Sequence, residues 1–545
     1  MWFSHIYALY DNIPYSPPYI SILSNQLMRI SDTVIPIFSW FYLYLGVVLV
    51  IISAFCFFYG KKKLAIFFLL SGGFLIRLYI AGLDPFLHYW DERYHALVAK
   101  NLINNWLVPT LYKKPVLLYD YKYWAGNYIW LHKQPFFLWQ MALSMKIFGI
   151  NVIALRMPSV VLSTLSIWAI YRIGKLTYNE RVGFITAVFW ALNNYTLEFV
   201  CGYFGSDHND MAFTCYVLFS IWAWTEYVND KKTYWLLLIG LFSGVAVLIK
   251  WLTGMLVYFI WGASTLIFSK EKITEFKNMA ISVTTSCIIF LPWQIYIFLR
   301  WPKEAWYEYQ YNISHFSKVI EGHYGDATYY FNYLPELLGI IQFYFLIPGL
   351  IIFLIKKNNA VYKLSIPIIV LSVLLFYTLA KTKMHGFIMP IVPFLLIISA
   401  VFFDWCITNI IIRIKNRHWF IGFSVLLIIG TAYWNLAPVN TMKRQDYNGY
   451  LWYEGPEHNS YYYNMQLYKQ LPNLLSKKDY VIVCAKPQDE ASCMFYTGHT
   501  TYSLISAENY KLLRDKCIPI ASFPNNMPDY IKTDTSVFKI PMAWR

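Results

Sequence analysis

The residues best suited to moving or orienting a proton are two adjacent carboxylates, Asp91 and Glu92, in the run Tyr89-Trp90-Asp91-Glu92-Arg93-Tyr94. They open a helical pattern that continues through Ala96, Leu97, Ala99 and Leu102. A helix dipole favours acidic residues at that position in any solvated helix, so the pair gains meaning from its company. A second acidic cluster, Ser206-Asp207-His208-Asn209-Asp210, stands immediately before an apolar segment that starts at Met211. Lysine and arginine accompany both. Lys133 in His132-Lys133-Gln134-Pro135 and Arg156 in Leu155-Arg156-Met157-Pro158 have the charge to hold a phosphate, and also to anchor at lipid headgroups. The turn Lys381-Thr382-Lys383-Met384-His385 gathers two ammonium groups and an imidazole between two apolar segments, enough to neutralise a phosphodiester. Lys250, in Leu248-Ile249-Lys250-Trp251, lies on the same side and is also explained by snorkelling.

Three further features bear on ligands. His132 with His315 or His323 offers nitrogen ligands for a divalent ion, Zn or Mg, without the spacing of a known metal motif. Tyr94 beside the acid pair, and Tyr329, Tyr330 and Tyr333, are candidate substrate-binding aromatics, although a membrane-interface tyrosine belt produces the same run. Phosphate-cradling glycine loops, GxSxG and a cytoplasmic nucleotide domain are all missing from the sequence, so an activated donor is expected to arrive within the membrane.

The elements that must position these groups follow from composition. Of 545 residues, 58% are hydrophobic and 14% charged, against about 25% charged in soluble domains. With a mean hydropathy of +0.41 the chain reads as a polytopic α-helical membrane protein. About twelve apolar stretches approach bilayer length, beginning near Trp40, Leu64, Pro158, Val182, Met211, Trp235, Thr253, Met279, Leu337, Leu364, Phe387 and Trp419. Short basic connectors (Lys61 to Lys63, Arg172 to Arg181, Lys231-Lys232, Lys270 to Lys277, Lys356-Lys357, Arg413 to Arg417) alternate with longer aromatic ones, and the positive-inside rule makes the basic series cytoplasmic. The carboxylates and the Lys133, Lys250 and Lys381 segments then share the opposite face, and residues 1–38 fall there too by parity. The net charge of +15 is explained by these connectors, not by nucleic acid.

The expected organisation is a membrane domain over residues 1–438, with external loops 84–157 and 300–336, followed by an extracytoplasmic α/β domain over 439–545. That tail carries a helical pattern from Gln466 to Leu475 and a β-like run Tyr480-Val-Ile-Val-Cys484, with Cys484, Cys493 and Cys517 able to supply one disulfide in an oxidising compartment.

Taken in order, Trp90-Asp91-Glu92-Arg93-Tyr94, His132-Lys133-Gln134-Pro135, Arg156-Met157-Pro158-Ser159, the acid before a span, Leu248-Ile249-Lys250, Leu291-Pro292-Trp293 and Lys381-Thr382-Lys383 with Pro390 resemble the GT-C membrane glycosyltransferases. Within them the likeness is to the lipid-A aminoarabinose transferase and protein O-mannosyltransferase-like group. The resemblance implies an inverting transferase that takes a sugar from a polyprenyl-phosphate donor to a lipid A-like lipid, glycan or protein acceptor. It assigns Asp91 as catalytic aspartate, Glu92 as its partner acid, Asp210 or Asp207 as the second acid, and Lys133 as a donor-phosphate ligand. Arg156, Lys381, Lys383 and His385 join Lys133 as phosphate-binding candidates. Related transferases carry a glutamate where this chain has His132, and His315 matches a family loop histidine, so any metal site would have changed ligands. The implied location is a bacterial inner membrane with the site facing the periplasm; an endoplasmic-reticulum protein with a luminal site would share the topology. The rival reading is a transporter or flippase of a lipid-linked sugar, which would need charges or broken helices at mid-membrane.

Overall fold

The computed structural model describes residues 41–202, 208–356, 360–436, 456–476 and 478–545. Asp207, residues 1–38, Lys357 and the start of the tail expected from 439 lie outside the described residues.

Among the described residues six helical segments are long and apolar enough to cross a membrane: Phe41–Phe58, Lys62–Ala81, Val152–Thr177, Tyr234–Phe268 (interrupted after Lys250), Lys272–Arg300 and His385–Arg413, with shorter apolar helices at Leu346–Ile355 and Leu364–Leu379. Several of the twelve expected stretches are divided by polar or glycine punctuation. The stretch from Val182 becomes two helices, Glu180–Ala191 and Asn194–Cys201. Asn193 separates them because its side-chain oxygen accepts from the Thr196 amide (2.9 Å), while its amide donates to the Leu337 carbonyl (2.9 Å). An asparagine that captures the backbone in this way caps a new helix in preference to continuing the old one. The stretch from Leu337 breaks at Gly339, whose φ of +88° has no place in a right-handed helix.

Four helices organise the site. We label them α1 (Asp91–Leu102), α2 (Pro135–Phe148), α3 (His208–Asp230) and α4 (Tyr234–Lys250). Pro135 stands at the first position of α2, where its missing N–H costs nothing. The chain doubles back after α4, and Ser243 donates to the Gly254 carbonyl across the reversal (2.9 Å). Lys250 is thereby held at a helix end, not within a continuous span.

The tail forms a parallel sheet of three short strands, β1 (Val481–Val483), β2 (Ile520–Ser522) and β3 (Phe538–Lys539), in that order. Its apolar cluster, which includes Leu471, Ile482, Val483, Leu513 and Phe523, also takes in Leu117 from the first external loop. Cys484, Cys493 and Cys517 are all free thiols, so the disulfide the sequence allows is not formed among them. The tail grips α1 through Arg93, which ion-pairs with Asp489 at 3.2 Å and lies 4.1 Å from the centre of the Tyr89 ring. Tyr468 donates to the same aspartate at 2.6 Å.

Candidate active site

Helix ends converge on one cavity of about 470 Å³, whose wall carries Asp91, Lys133, Asp210, Lys250, His132, His315 and Glu321. Asp91 is the first residue of α1, Lys133 precedes α2, Asp210 lies in the first turn of α3 and Lys250 closes α4. Ends are where side chains reach a ligand without the shield of a neighbouring turn. Two of these ends carry backbone strain beside the acting residue. Trp90 has φ +62° and Trp251 has φ +57°, a conformation that costs a bulky residue of order 1–3 kcal/mol and persists only where the surroundings enforce it.

The cavity holds two opposite-charge pairs. Lys133 Nζ lies 3.7 Å from Asp91 Oδ2, with both side chains partly open to solvent. Lys250 donates to Asp210, and its ammonium sits 4.6 Å from the centre of the Phe387 ring. Gly386 lets the neighbouring turn press on this pair, since a Cβ there would lie 2.6 Å from Asp210 Oδ2.

Directly behind Asp91, Glu92 faces the other way into a sealed polar network. Its side chain is 1% exposed and Arg156's is 0% exposed, and neither reaches the cavity. Glu92 Oε1 accepts from Arg156 Nε at 2.7 Å and from His208 Nε2 at 2.8 Å; Oε2 accepts from Arg156 Nη2 at 3.0 Å and from the His88 amide at 2.6 Å. Arg156 also donates to the carbonyls of Ala81, Asp84 and Phe86, and His88 donates to Asp84 at 2.7 Å. Burial alone would raise the Glu92 carboxyl, but Arg156, His88 and His208 hold it well below the usual carboxylate range. For His88, burial and Arg156 act downward, and Glu92 and Asp84 outweigh them, leaving the imidazole raised. Arg156, expected at a donor phosphate, is instead saturated by Glu92 and backbone oxygens.

The remaining expected residues divide. Lys383 is buried, with its ammonium on the carbonyls of Tyr377 (3.2 Å), Thr378 (2.6 Å) and Ala380 (2.8 Å), where it caps a helix end in place of meeting a phosphate. Lys381 is exposed outside the cavity wall, and His385 packs on Tyr333 with ring centres 3.6 Å apart. Tyr329, Tyr330 and Tyr333 lie beside His385 and also outside the wall, and Tyr330 is fully buried. Tyr94 is buried edge-on against Trp124, which does line the cavity. His132 stacks on Trp124 at 4.7 Å and pairs through Nδ1 with Glu308 at 3.3 Å, while His315 Nδ1 donates to the Tyr311 carbonyl at 3.0 Å. Burial lowers His315. Among the described residues no three His, Cys, Asp or Glu side chains come together as a metal site, and His132 and His315 each turn a ring nitrogen to a protein partner.

Comparison with known proteins is decisive for the fold. ArnT from Cupriavidus metallidurans, in a crystal structure with undecaprenyl phosphate, superimposes with a TM-score of 0.57 at 14% identity, covering 83% of this chain and 89% of that one. The archaeal oligosaccharyltransferase AglB from Archaeoglobus fulgidus, in complex with an inhibitory peptide and a dolichol-phosphate, gives a TM-score of 0.57 at 12% identity over 81% of this chain and 64% of its own. Both neighbours are GT-C glycosyltransferases.

This chain has the GT-C fold.

The sequence comparisons agree. The family described as dolichyl-phosphate-mannose-protein mannosyltransferase matches residues 132–296, a span that holds Lys133, Arg156, Asp210 and Lys250 and begins after Asp91. An undecaprenyl phosphate-alpha-4-amino-4-deoxy-L-arabinose arabinosyl transferase from Photorhabdus laumondii is 24% identical over 331 residues, 58% of this chain and 56% of that protein. A second, from Proteus mirabilis, is 23% identical over 344 residues, 61% of this chain and 57% of its own. The chain thus matches little more than half the length of these relatives. On the GT-C scaffold two cavity residues stand out that the motifs did not assign. Lys250 read equally well as a snorkelling lysine, yet its position at a broken helix end is visible in the Lys-Trp-Leu-Thr-Gly sequence. Glu321 accepts from Trp124 Nε1 at 2.7 Å and Tyr311 Oη at 2.9 Å. Burial would raise its carboxyl, but these two donors, with His132 and Lys133, lower it.

Proposed function

We propose that the protein is a membrane glycosyltransferase that moves a sugar from a polyprenyl-phosphate donor to a lipid, glycan or protein acceptor. The observation that carries this reading is the pairing of Asp91 with Lys133 in one cavity with Asp210 and Lys250. A carboxylate beside an ammonium is what glycosyl transfer from a lipid phosphate requires: a base for the nucleophile and a cation for the leaving group.

In this mechanism Asp91 orients the acceptor hydroxyl and takes its proton as the oxygen bonds to the anomeric carbon. The bond from that carbon to the phosphate oxygen breaks on the opposite face, its electron pair leaving with the phosphate, so configuration inverts. Lys133 stabilises the departing charge, and Asp210 sets the position of Lys250 as a second cation. Glu92 and Arg156 act as positioning residues that fix the start of α1. Leu252, Ile313, Phe316 and Phe376 line the cavity while remaining exposed; such an apolar mouth suits a polyprenyl chain entering from lipid.

The same reading places residues 1–438 as the transferase domain and 439–545 as an extracytoplasmic α/β domain, with the cavity on the periplasmic face of a bacterial inner membrane. The acceptor is a lipid A-like lipid, a glycan or a protein. The test is mass spectrometry of glycolipids and glycoproteins in membranes from cells making wild type, Asp91→Asn or no protein. Wild type adds a fixed sugar mass, and Asp91→Asn at equal abundance lowers the product about 10²–10⁴-fold. Full modification by Asp91→Asn refutes the mechanism, and no protein-dependent modification refutes the transferase reading.

A further inference from the structure

A second, smaller cavity of about 130 Å³ lies where the C-terminal end of α1 meets the tail, and its wall includes Lys100, Lys113, Asn104, Ile150 and Thr500. No aspartate or glutamate lines it. Lys100 donates to the Phe495 carbonyl and Lys113 is exposed, and among the described residues neither forms an ion pair with a carboxylate. Two ammonium groups thus face one polar space whose wall holds no carboxylate, and Asp479 stands behind the wall residue His499 at 3.7 Å. Burial, and then the neighbouring Lys113, push the Lys100 ammonium down to about 8, the response of a cation held near a like charge without compensation.

The cavity's place relative to the bilayer indicates where a counter-charge would come from. Ile150 belongs to the turn between α2 and the membrane-spanning helix Val152–Thr177. At the end of α2 and in that turn Ile147 is 63% exposed, Phe148 64% and Ile150 51%, an apolar ridge beside the start of a candidate span, the kind of surface that lipid covers. A phosphate group is small enough for the space, and the lysines share its wall with Ile150, next to the start of a candidate span, where lipid headgroups attract cations. Lys100 lies about 14 Å from Asp91 along α1, at about 1.5 Å per residue, so this space is separate from the active-site cavity.

We propose that this cavity seats the phosphate of an anionic membrane lipid, with Lys100, Lys113 and Asn104 on the phosphate and the acyl chains along Ile147, Phe148 and Ile150. The contact would tie the tail, the end of α1 and the bilayer together. It does not depend on the transferase reading.

The test uses the full-length protein in nanodiscs containing phosphatidic acid and phosphatidylcholine in equal amounts, with co-purifying lipid counted by native mass spectrometry. Wild type should enrich phosphatidic acid about tenfold, the scale of one or two charge-assisted hydrogen bonds. Lys113→Gln and Asn104→Asp, both at the exposed rim, should each lower that enrichment at least about threefold with the thermal unfolding midpoint unchanged. Lys100→Gln with Lys113→Gln should abolish it. Absence of enrichment in wild type, or enrichment unaltered in the rim variants, overturns the proposal. So does displacement of the lipid by low-millimolar inorganic phosphate, which would make the cavity a site for the free anion.

Discussion

Asp91 and Glu92 are neighbours in sequence, but substitution should separate them completely. Glu92→Gln keeps the shape of the side chain and removes the charge that Arg156 and His208 both contact, at 2.7 and 2.8 Å. Arg156 is fully buried, so it would be left as a cation without its carboxylate, a change that costs about 3–5 kcal/mol in comparable buried pairs. Asp91→Asn removes one partner of a pair that is 3.7 Å apart and partly solvated, worth about 0–1 kcal/mol. In mixed-micelle denaturation Glu92→Gln should therefore unfold at a markedly lower denaturant fraction, while Asp91→Asn unfolds with wild type. Acid supplies a second arm. The Glu92 carboxyl is depressed in the folded protein, so its stabilisation is complete above the unfolded value of about 4.3 and disappears as pH falls through the lower folded value. Glu92→Gln should lack that portion of the acid sensitivity. The reasoning fails if Glu92→Gln unfolds like wild type and loses only turnover, because Glu92 would then belong with the reacting groups and not with their support.

Two further substitutions probe the cavity. Lys133→Met should leave the unfolding midpoint within about 1 kcal/mol of wild type and reduce kcat by about 10²–10³-fold, as expected for loss of one preorganised charge on the leaving group; unaltered turnover of a lipid-phosphate donor would remove Lys133 from the mechanism. Trp90→Gly should relieve the φ +62° strain and leave unfolding unchanged or up to about 1 kcal/mol harder, while lowering kcat about tenfold by loosening Asp91. A variant both less stable and fully active would show that Trp90 packs and does not position.

What the sequence revealed and what it hid follow from the range of the interactions involved. The helix opening at Asp91 was legible because its periodicity and the acidic residues at its start are local signals. The strand Val481–Val483 was legible for the same reason. The division of the Val182 stretch was not, because Asn193 breaks the helix by bonding across to Leu337, a partner far along the chain. Charge also misleads when its partner is remote. Arg156 and Lys383 have the side chains of phosphate ligands, and only the fold shows one saturated by Glu92 and the other by helix-end carbonyls. The tyrosines from Tyr329 to Tyr333 read as substrate-binding aromatics, but the aromatics on the cavity wall are others, among them Tyr309, Tyr311, Trp251 and Trp124, the last held by contacts with Tyr94 and His132.

These displacements share a physical logic. A group that is to meet a substrate must keep part of its charge unsatisfied by the protein, whereas a group that fixes the backbone must be satisfied wholly. Asp91, Lys133 and Lys250 are placed for the first role: each side chain is partly open to solvent and stands at or beside a helix end. Glu92, Arg156 and Lys383 meet the second. The strained Trp90 stands where the sets adjoin, and it turns the chain so that Asp91 faces the cavity while Glu92 is held inside. On the α1 side this explains why the acid pair is adjacent in sequence. In a helix consecutive side chains diverge by about 100°, so Asp91 can reach into the cavity only if Glu92 points away from it, and the buried arginine is what makes that second carboxylate tolerable.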